Sequence, residues 1–232
     1  MSRNLPSVDE KKTPRDSINK VTGLSYALEL KNISFAYQVQ SVINNLNLSF
    51  SNGEIVALTG PNGVGKTTLL RIIAGLKSES EGEIYWQGQP ADVLVRRFLC
   101  HWISTEFPLK RKLSVEENLK FIMALKTGAF QDRTKIRDAL AMMNIDLLMN
   151  KRIDTLSAGQ MSRVFLASLL LDQRPVWLLD EPNTALDNSG RTILNSLIRK
   201  TAKKHNTIVI LATHEPAYFE CDRIIDLMEV GV

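Results

Sequence analysis

Gly60-Pro61-Asn62-Gly63-Val64-Gly65-Lys66-Thr67, followed by Thr68, Leu69 and Leu70, is the stretch whose reading decides the fold of this chain. It fits the spacing G-x-x-x-x-G-K-[ST]. A chain of phosphates needs hydrogen-bond donors on several sides at once. Only glycine lets backbone N–H groups turn inward that tightly without a Cβ clash, so Gly60, Gly63 and Gly65 stand where such a cradle demands them. Lys66 is placed to bridge the outer phosphates, and the Thr67 hydroxyl to ligate Mg²⁺. The flanks agree: Ile55-Val56-Ala57-Leu58-Thr59 reads as a short buried strand, and Leu69, Leu70, Ile72, Ile73 and Leu76 continue at helical spacing. Strand, loop and helix come in the order that aims a helix N-terminus at an anion. A glycine-rich turn that merely ends in Lys-Thr is the competing reading, and it leaves those flanks unexplained. The stretch predicts a nucleoside triphosphate as ligand.

Matching chemistry lies in the second half of the chain. Val176-Trp177-Leu178-Leu179 reads as a strand that delivers Asp180 and Glu181 at its carboxyl end, where α/β sheets place their ligands. Asp180 can hold a Mg²⁺ shell, and Glu181 can polarise a water for in-line attack on a γ-phosphate; a solvated acidic turn is the plainer alternative. Leu156-Ser157-Ala158-Gly159-Gln160 precedes an apolar helix from Val164 to Leu171, with Ser157 where an N-cap belongs. That predicts a second helix N-terminus able to face phosphate. Thr207 to Ala212 is a buried strand ending at Thr213-His214, and a neutral histidine there can bond both a phosphate oxygen and an attacking water. Alone, His214 reads first as an ordinary satisfied histidine.

The remaining pattern predicts an α/β core interrupted by helices. Ala27 to Phe35 alternates loosely, and its slip in parity predicts a bulged strand near a sheet edge; Val42 to Phe50 alternates more cleanly. Tyr37 falls in a loop after the first strand, either to stack on a nucleobase or to sit half-buried there. Glu83 to Trp86 returns as a strand, and Gln87-Gly88-Gln89-Pro90 turns. From about Pro108 the pattern changes to helices. Ser114-Val115-Glu116-Glu117 is a capping box, and Gln131 to Asn150 gives an amphipathic run through Ile136, Leu140, Met143 and Leu147. Asp187 caps a helix with Ile193, Leu194, Leu197 and Ile198 on its apolar face, and Arg223 to Met228 is a last strand.

Composition sets the bounds. The 232 residues, 44% apolar, suffice for one domain with an inserted lobe and not for two separate enzymes. No apolar run approaches the ~20 residues that cross a bilayer, so a membrane role needs another subunit to supply the span. A net charge of +4 suits an anionic lipid surface or nucleic acid no better than an ordinary solvated face. Cys100 and Cys221, far apart and outside any CxxC, predict neither a disulfide scaffold nor a zinc site, and make a reducing compartment the default. Residues 1–25 lack the apolar core of a signal peptide and are expected to form a flexible tail.

With the phosphate loop, Leu156 to Gln160, Asp180-Glu181 and His214 together, the chain resembles the ATP-binding-cassette (ABC) ATPases from about Leu28 onward. The resemblance implies an α/β fold, a P-loop NTPase of ABC ATPase type, with a mixed β-sheet core and an inserted helical subdomain. Here that means a nucleotide-binding domain over 26–232 with the helical part at about 108–172. It implies ATP and Mg²⁺. Carried over by position, Tyr37 is the adenine-stacking aromatic, and Gly60, Pro61, Asn62, Gly63, Val64, Gly65, Lys66, Thr67 and Thr68 form the Walker A loop. Leu156 to Gln160 is the signature, Asp180 closes Walker B, Glu181 is the catalytic base, Ala185-Leu186-Asp187 the D-loop and His214 the switch histidine. Members of the family work as head-to-tail homodimers, in which Ser157 and Gly159 of one subunit would close over ATP held by Lys66 of the other.

Within that family the chain resembles the ATP-binding subunits of cytochrome c maturation, or haem-export, systems. The residues that carry this are Gly82 to Pro90, Trp102-Ile103-Ser104, the alanine-containing signature, and Trp177-Leu178-Leu179-Asp180-Glu181-Pro182. The resemblance implies integral membrane permease subunits as partners, a haem chaperone indirectly, no nucleic acid, and a peripheral place on the cytoplasmic face of an inner membrane, bacterial or mitochondrial. One position departs from the family. The glutamine that should touch Mg²⁺ and the attacking water after Trp102-Ile103 is missing, and Glu106 is the nearest match. A carboxylate there still reaches a metal but adds negative charge beside Asp180 and Glu181. Lys110-Arg111-Lys112 reads as a partner or lipid contact or as a solvated turn, and Cys100-His101 as a haem ligand pair or as neither. A soluble ABC ATPase serving iron–sulfur cluster assembly is the alternative function, as is an ATPase for another exported substrate.

Overall fold

The structure, a computed structural model, describes residues 27–38, 40–104, 109–128 and 131–230; the expected tail lies outside them. Five short strands form one parallel sheet: β3 (Ile55–Thr59), β6 (Cys100–Ile103), β7 (Val176–Asp180), β8 (Ile208–Ala212) and β9 (Arg223–Asp226), in the order β6-β7-β8-β3-β9. Alternation along β3 shows why it must be central. Ile55 and Ala57 pack into one apolar cluster, Val56 and Leu58 into another, and all four are buried. A strand greasy on both faces needs cover on both, which is the condition for parallel sheets.

On one side lie α1 (Lys66–Ile73) and an antiparallel sheet of β1 (Leu28–Tyr37), β2 (Gln40–Phe50), β4 (Glu81–Trp86) and β5 (Gln89–Pro90), ordered β2-β1-β4-β5. On the other side lie α3 (Val115–Thr127), α4 (Arg133–Met142), α5 (Ala158–Leu171) and α6 (Asn188–His205). Three of these helices, α3 to α5, are inserted between β6 and β7. The result is the predicted mixed α/β core, with antiparallel and parallel sheets. The capping box of Ser114 and Glu117 starts α3, and Asp187 caps α6 by accepting from the Gly190 N–H at 2.8 Å.

Several details differ from the sequence reading. β1 is bulged, with register shifts between Leu30 and Ala36, but it lies inside its sheet between β2 and β4 rather than at an edge. Tyr37 is the last residue of β1 rather than part of a loop, paired with Gln40. Leu147 is 90% exposed instead of continuing an apolar helix face. The helix has already stopped: Asn144 takes a left-handed φ of 55° and the Ile145 N–H turns back to the Leu140 carbonyl. The turn at Gln87-Gly88 is the tight hairpin whose second strand is β5. A helix, α2 (Val93–Leu99), and strand β6 were not anticipated.

Candidate functional site

Parallel register brings the site together. Leu58 of β3 and Asp180 of β7 are both paired with Ala212 of β8, so the three strands end at one edge. The phosphate-loop candidate follows β3, Glu181 follows β7, and His214 follows β8. The loop has the conformation its glycines suggested. Gly65 holds a φ of 109°, and a Cβ there would meet the Val42 side chain at 3.1 Å, so both backbone and space call for glycine. Gly60 and Gly63 also take positive φ. Pro61, Asn62 and Gly63 form the exposed rim, while Val64 is buried beneath it.

α1 begins with its donors open. Gly65 at the N-cap offers no side-chain acceptor, and the first turn holds no acid. The first N–H groups of a helix have no partner within it, and with a partial positive charge they attract anions. Lys66 folds its ammonium back over the loop, 2.7 Å from the Gly60 carbonyl and 3.1 Å from that of Pro61. The charge is thus held at the cradle.

The Thr67 hydroxyl donates to Asp180, 2.8 Å from Oδ2 and 3.1 Å from Oδ1. These two hard oxygen donors suit Mg²⁺, which typically takes one or two protein oxygens and completes its shell with water and phosphate. Among the described residues, no group of three or more His, Cys, Asp or Glu side chains forms a metal cage. Glu106, the third metal candidate, lies outside the described residues.

Glu181 adopts a left-handed φ of 48°, unusual for a glutamate, with its N–H bonded to the Ala212 carbonyl at 3.0 Å. That turn places its Oε1 3.4 Å from His214 Nε2. The Oε1 atom is buried and accepts no hydrogen bond, as befits an acceptor waiting for a donor. Burial raises the pKa of Glu181 above the usual carboxylate range, with Asp180 adding to the rise and His214 and Lys66 opposing it. Asp180 is likewise raised, by burial first, against the hydrogen bond from Thr67 and the charges of Arg71 and Lys66.

Tyr37 reaches the same helix from the other side. Its hydroxyl lies 3.4 Å from that of Thr68, and this bond, opposed by burial and assisted by Lys77, lowers its pKa. Its ring stands nearly perpendicular to Phe35 with centroids 4.9 Å apart, and it is 43% exposed. A partly exposed aromatic ring beside the phosphate loop can take a flat base.

The remaining candidates, Ser157 and Gly159, open α5. Ser157 Oγ accepts from the Gln160 N–H at 3.2 Å, and Gln160 Oε1 accepts from the Ser157 N–H at 3.0 Å. A Cβ on Gly159 would meet the Ala185 carbonyl at 3.0 Å, so glycine lets this helix start against the segment after Glu181. Arg163, one turn on, pairs with Asp187 and donates to Ser189. Sequence reasoning missed Arg163 and also Asn183, which is almost fully buried and donates to Glu215 Oε2 at 2.8 Å, beside His214. Their places in sequence, Asn183 shortly before Asp187 and Arg163 shortly after Gly159, are the only hint at them.

Cys100 and His101 do not face the site. Both are buried. Burial pushes the Cys100 thiol up to about 12 and His101 well below its ordinary value. His101 Nε2 lies 2.6 Å from Lys126 Nζ, which excludes the haem-ligand reading.

Comparison with known proteins gives a consistent picture. The family model for ABC transporters matches residues 43–184. ABC transporter I family member 1 of Arabidopsis thaliana is 36% identical, with 86% of this chain and 87% of the relative covered. The cytochrome c biogenesis ATP-binding export protein CcmA of Aliivibrio fischeri is 35% identical, covering 85% and 96%. The spermidine/putrescine import ATP-binding protein PotA of Legionella pneumophila is 34% identical over 85% of this chain, but this spans only 56% of that relative. Among solved structures, a dimeric bacterial ABC transporter cassette superposes with a TM-score of 0.78 at 27% identity, covering 86% of this chain and 93% of that one.

Proposed function

The chain belongs to the ABC transporter family as an ATP-hydrolysing subunit, and we propose that it works as a head-to-tail dimer driving haem-related export for cytochrome c biogenesis. The observation that carries the catalytic part is the 2.8 Å bond from Thr67 to Asp180, which joins the loop to the acid pair across 113 residues of sequence. Lys66 and the open N-terminus of α1 hold the β- and γ-phosphates, with Gly60 to Thr68 wrapping the chain of anions and Tyr37 stacking on the adenine. Thr67 and Asp180, with Glu106 as a further candidate, hold Mg²⁺, which when bound neutralises phosphate charge and polarises the bond to be broken.

Glu181 then accepts a proton from the water whose oxygen attacks the γ-phosphorus, and ADP leaves on the opposite side. Its raised pKa makes it a better base than an exposed glutamate, provided it is ionised at the working pH. His214, within reach of Glu181, orients that water and the γ-phosphate. Ser157 and Gly159 of the partner subunit close the site. Their place at the start of α5, with Ser157 exposed and Gly159 partly so, suits that role, as does the likeness to a dimeric cassette.

The cargo reading rests on likeness to CcmA of Aliivibrio fischeri and of Vibrio cholerae, the latter 37% identical. Among the described residues, no helix is long and apolar enough to cross a membrane. In this reading permease subunits supply the channel and the chain sits peripherally on the cytoplasmic face. Deleting the gene and measuring covalent haem attachment to c-type cytochromes tests this. Loss of attachment, restored by the wild-type chain and not by a Lys66→Ala copy, is the expected result. Normal attachment would cancel the haem reading and leave polyamine or other cargoes, which the likeness to PotA also suggests.

A further inference from the structure

Lys77 lies against the ring proposed to stack on the nucleobase. Its backbone is pinned by the turn that closes α1: the Leu76 and Lys77 N–H groups both bond the Arg71 carbonyl, at 2.8 and 3.1 Å. From there its side chain lies over the Tyr37 ring, with Nζ 4.4 Å from the ring centroid, and 5.2 Å from the centroid of Phe35. Two perpendicular rings and one ammonium thus form a small box. The Tyr37 hydroxyl lies 3.4 Å from that of Thr68.

We propose that Lys77 is a specificity-setting competitor: its ammonium occupies the π-face of Tyr37 in the nucleotide-free protein and must be displaced before adenine stacks there. This deepens the reading of Tyr37 as the base-stacking residue and rests on it. A cation on an aromatic face and a base on the same face exclude one another. At an exposed site the cation–π attraction corresponds to about a two- to fivefold change in an equilibrium constant. The effect falls on ligands that carry a base and spares those that are phosphate alone.

Equilibrium binding of Mg-ATP and of inorganic tripolyphosphate to the full chain tests this, using Lys77→Ala, Lys77→Arg, Tyr37→Leu and the Lys77→Ala, Tyr37→Leu double variant. We expect Lys77→Ala to bind ATP about two- to fivefold more tightly with tripolyphosphate unchanged. Lys77→Arg, which keeps a cation on the ring, stays near wild type. On the Tyr37→Leu background Lys77→Ala has no further effect. Weaker ATP binding by Lys77→Ala, or an equal gain for tripolyphosphate, would make Lys77 a phosphate-side residue and overturn the proposal. If Tyr37→Leu leaves the preference for ATP over tripolyphosphate untouched, the base-stacking reading fails and takes the proposal with it. If Tyr37→Leu lowers that preference but Lys77→Ala changes nothing, only the competition is lost.

Discussion

Two helices in this chain begin at positions singled out for phosphate, and they begin differently. α1 starts at Gly65 with no side-chain cap, leaving its N–H donors free beside the Lys66 ammonium. α5 starts at Ser157 inside a complete capping box, so its donors are already partly satisfied, and Ser157 itself lies exposed. An uncapped N-terminus costs stability and is kept where a ligand supplies the missing acceptor. A self-capped one can stand in water until a partner arrives, with the Ser157 hydroxyl proton still free to donate. In the proposed dimer this difference would give one chain two unlike halves of a site: a resident phosphate cradle and a finished face offered to another copy.

Breaking the first half has the largest effect. Lys66→Ala removes the ammonium held at the cradle, and hydrolysis is expected to fall at least about 10²-fold, with ATP affinity falling as well. Near-normal turnover in a steady-state phosphate-release assay would refute the cradle assignment.

The second half separates under two substitutions of the same residue. Ser157→Ala loses the cap and is expected to cost about 1 kcal/mol of stability. Ser157→Asp caps as well as serine, so stability holds, but a carboxylate now faces phosphate across the dimer. Hydrolysis by Ser157→Asp should drop about 10²-fold while denaturant unfolding stays at wild-type values. Retained activity in Ser157→Asp would mean that the α5 terminus never meets a nucleotide.

A smaller effect concerns how the inserted helices are fastened to the sheet. Lys126 at the end of α3 meets His101 of β6, with Arg174 and Asp172 around it. Burial first, and then the Arg174 charge, lowers its pKa from 10.5 to about 7, against the pull of Asp172. The unfolded chain therefore binds a proton that the folded chain does not bind, from about pH 7 up to 10.5, and this contribution to stability rises with pH across that window. Lys126→Met should melt higher than wild type below about pH 7, with the margin shrinking at higher pH. A margin independent of pH in thermal melts would refute the buried-charge account.

The cradle region was legible because each of its signals is local. Strand, glycine spacing, Lys-Thr and apolar helix follow one another between Ile55 and Ile73, and none depends on a distant partner. The stretch from Val93 to Ile103 was not, because its pattern is inverted. Arg96 is 1% exposed, while Phe98 is 72% and Leu94 63% exposed. Periodicity assumes that charge faces water. Here the guanidinium is drawn inward by partners 24 and 17 residues away, donating to the Ile72 carbonyl at the end of α1 and pairing with Glu79. The site itself divides the same way. Lys66, Thr67, Asp180, Glu181 and His214 were named from spacing and resemblance, whereas the capped state of Ser157, the Asn183–Glu215 bond and the Lys77 ammonium over Tyr37 depend on where strand ends meet.

The most direct test is the mass of Glu181→Gln in analytical ultracentrifugation, with and without Mg-ATP. Glutamine keeps the shape of Glu181 but cannot take the proton, so hydrolysis should fall about 10²- to 10⁴-fold while ATP stays bound. The variant is expected to sediment as one chain of 26.1 kDa without nucleotide and as twice that mass with it. A species that binds ATP, fails to hydrolyse it and remains a single chain would contradict the shared site.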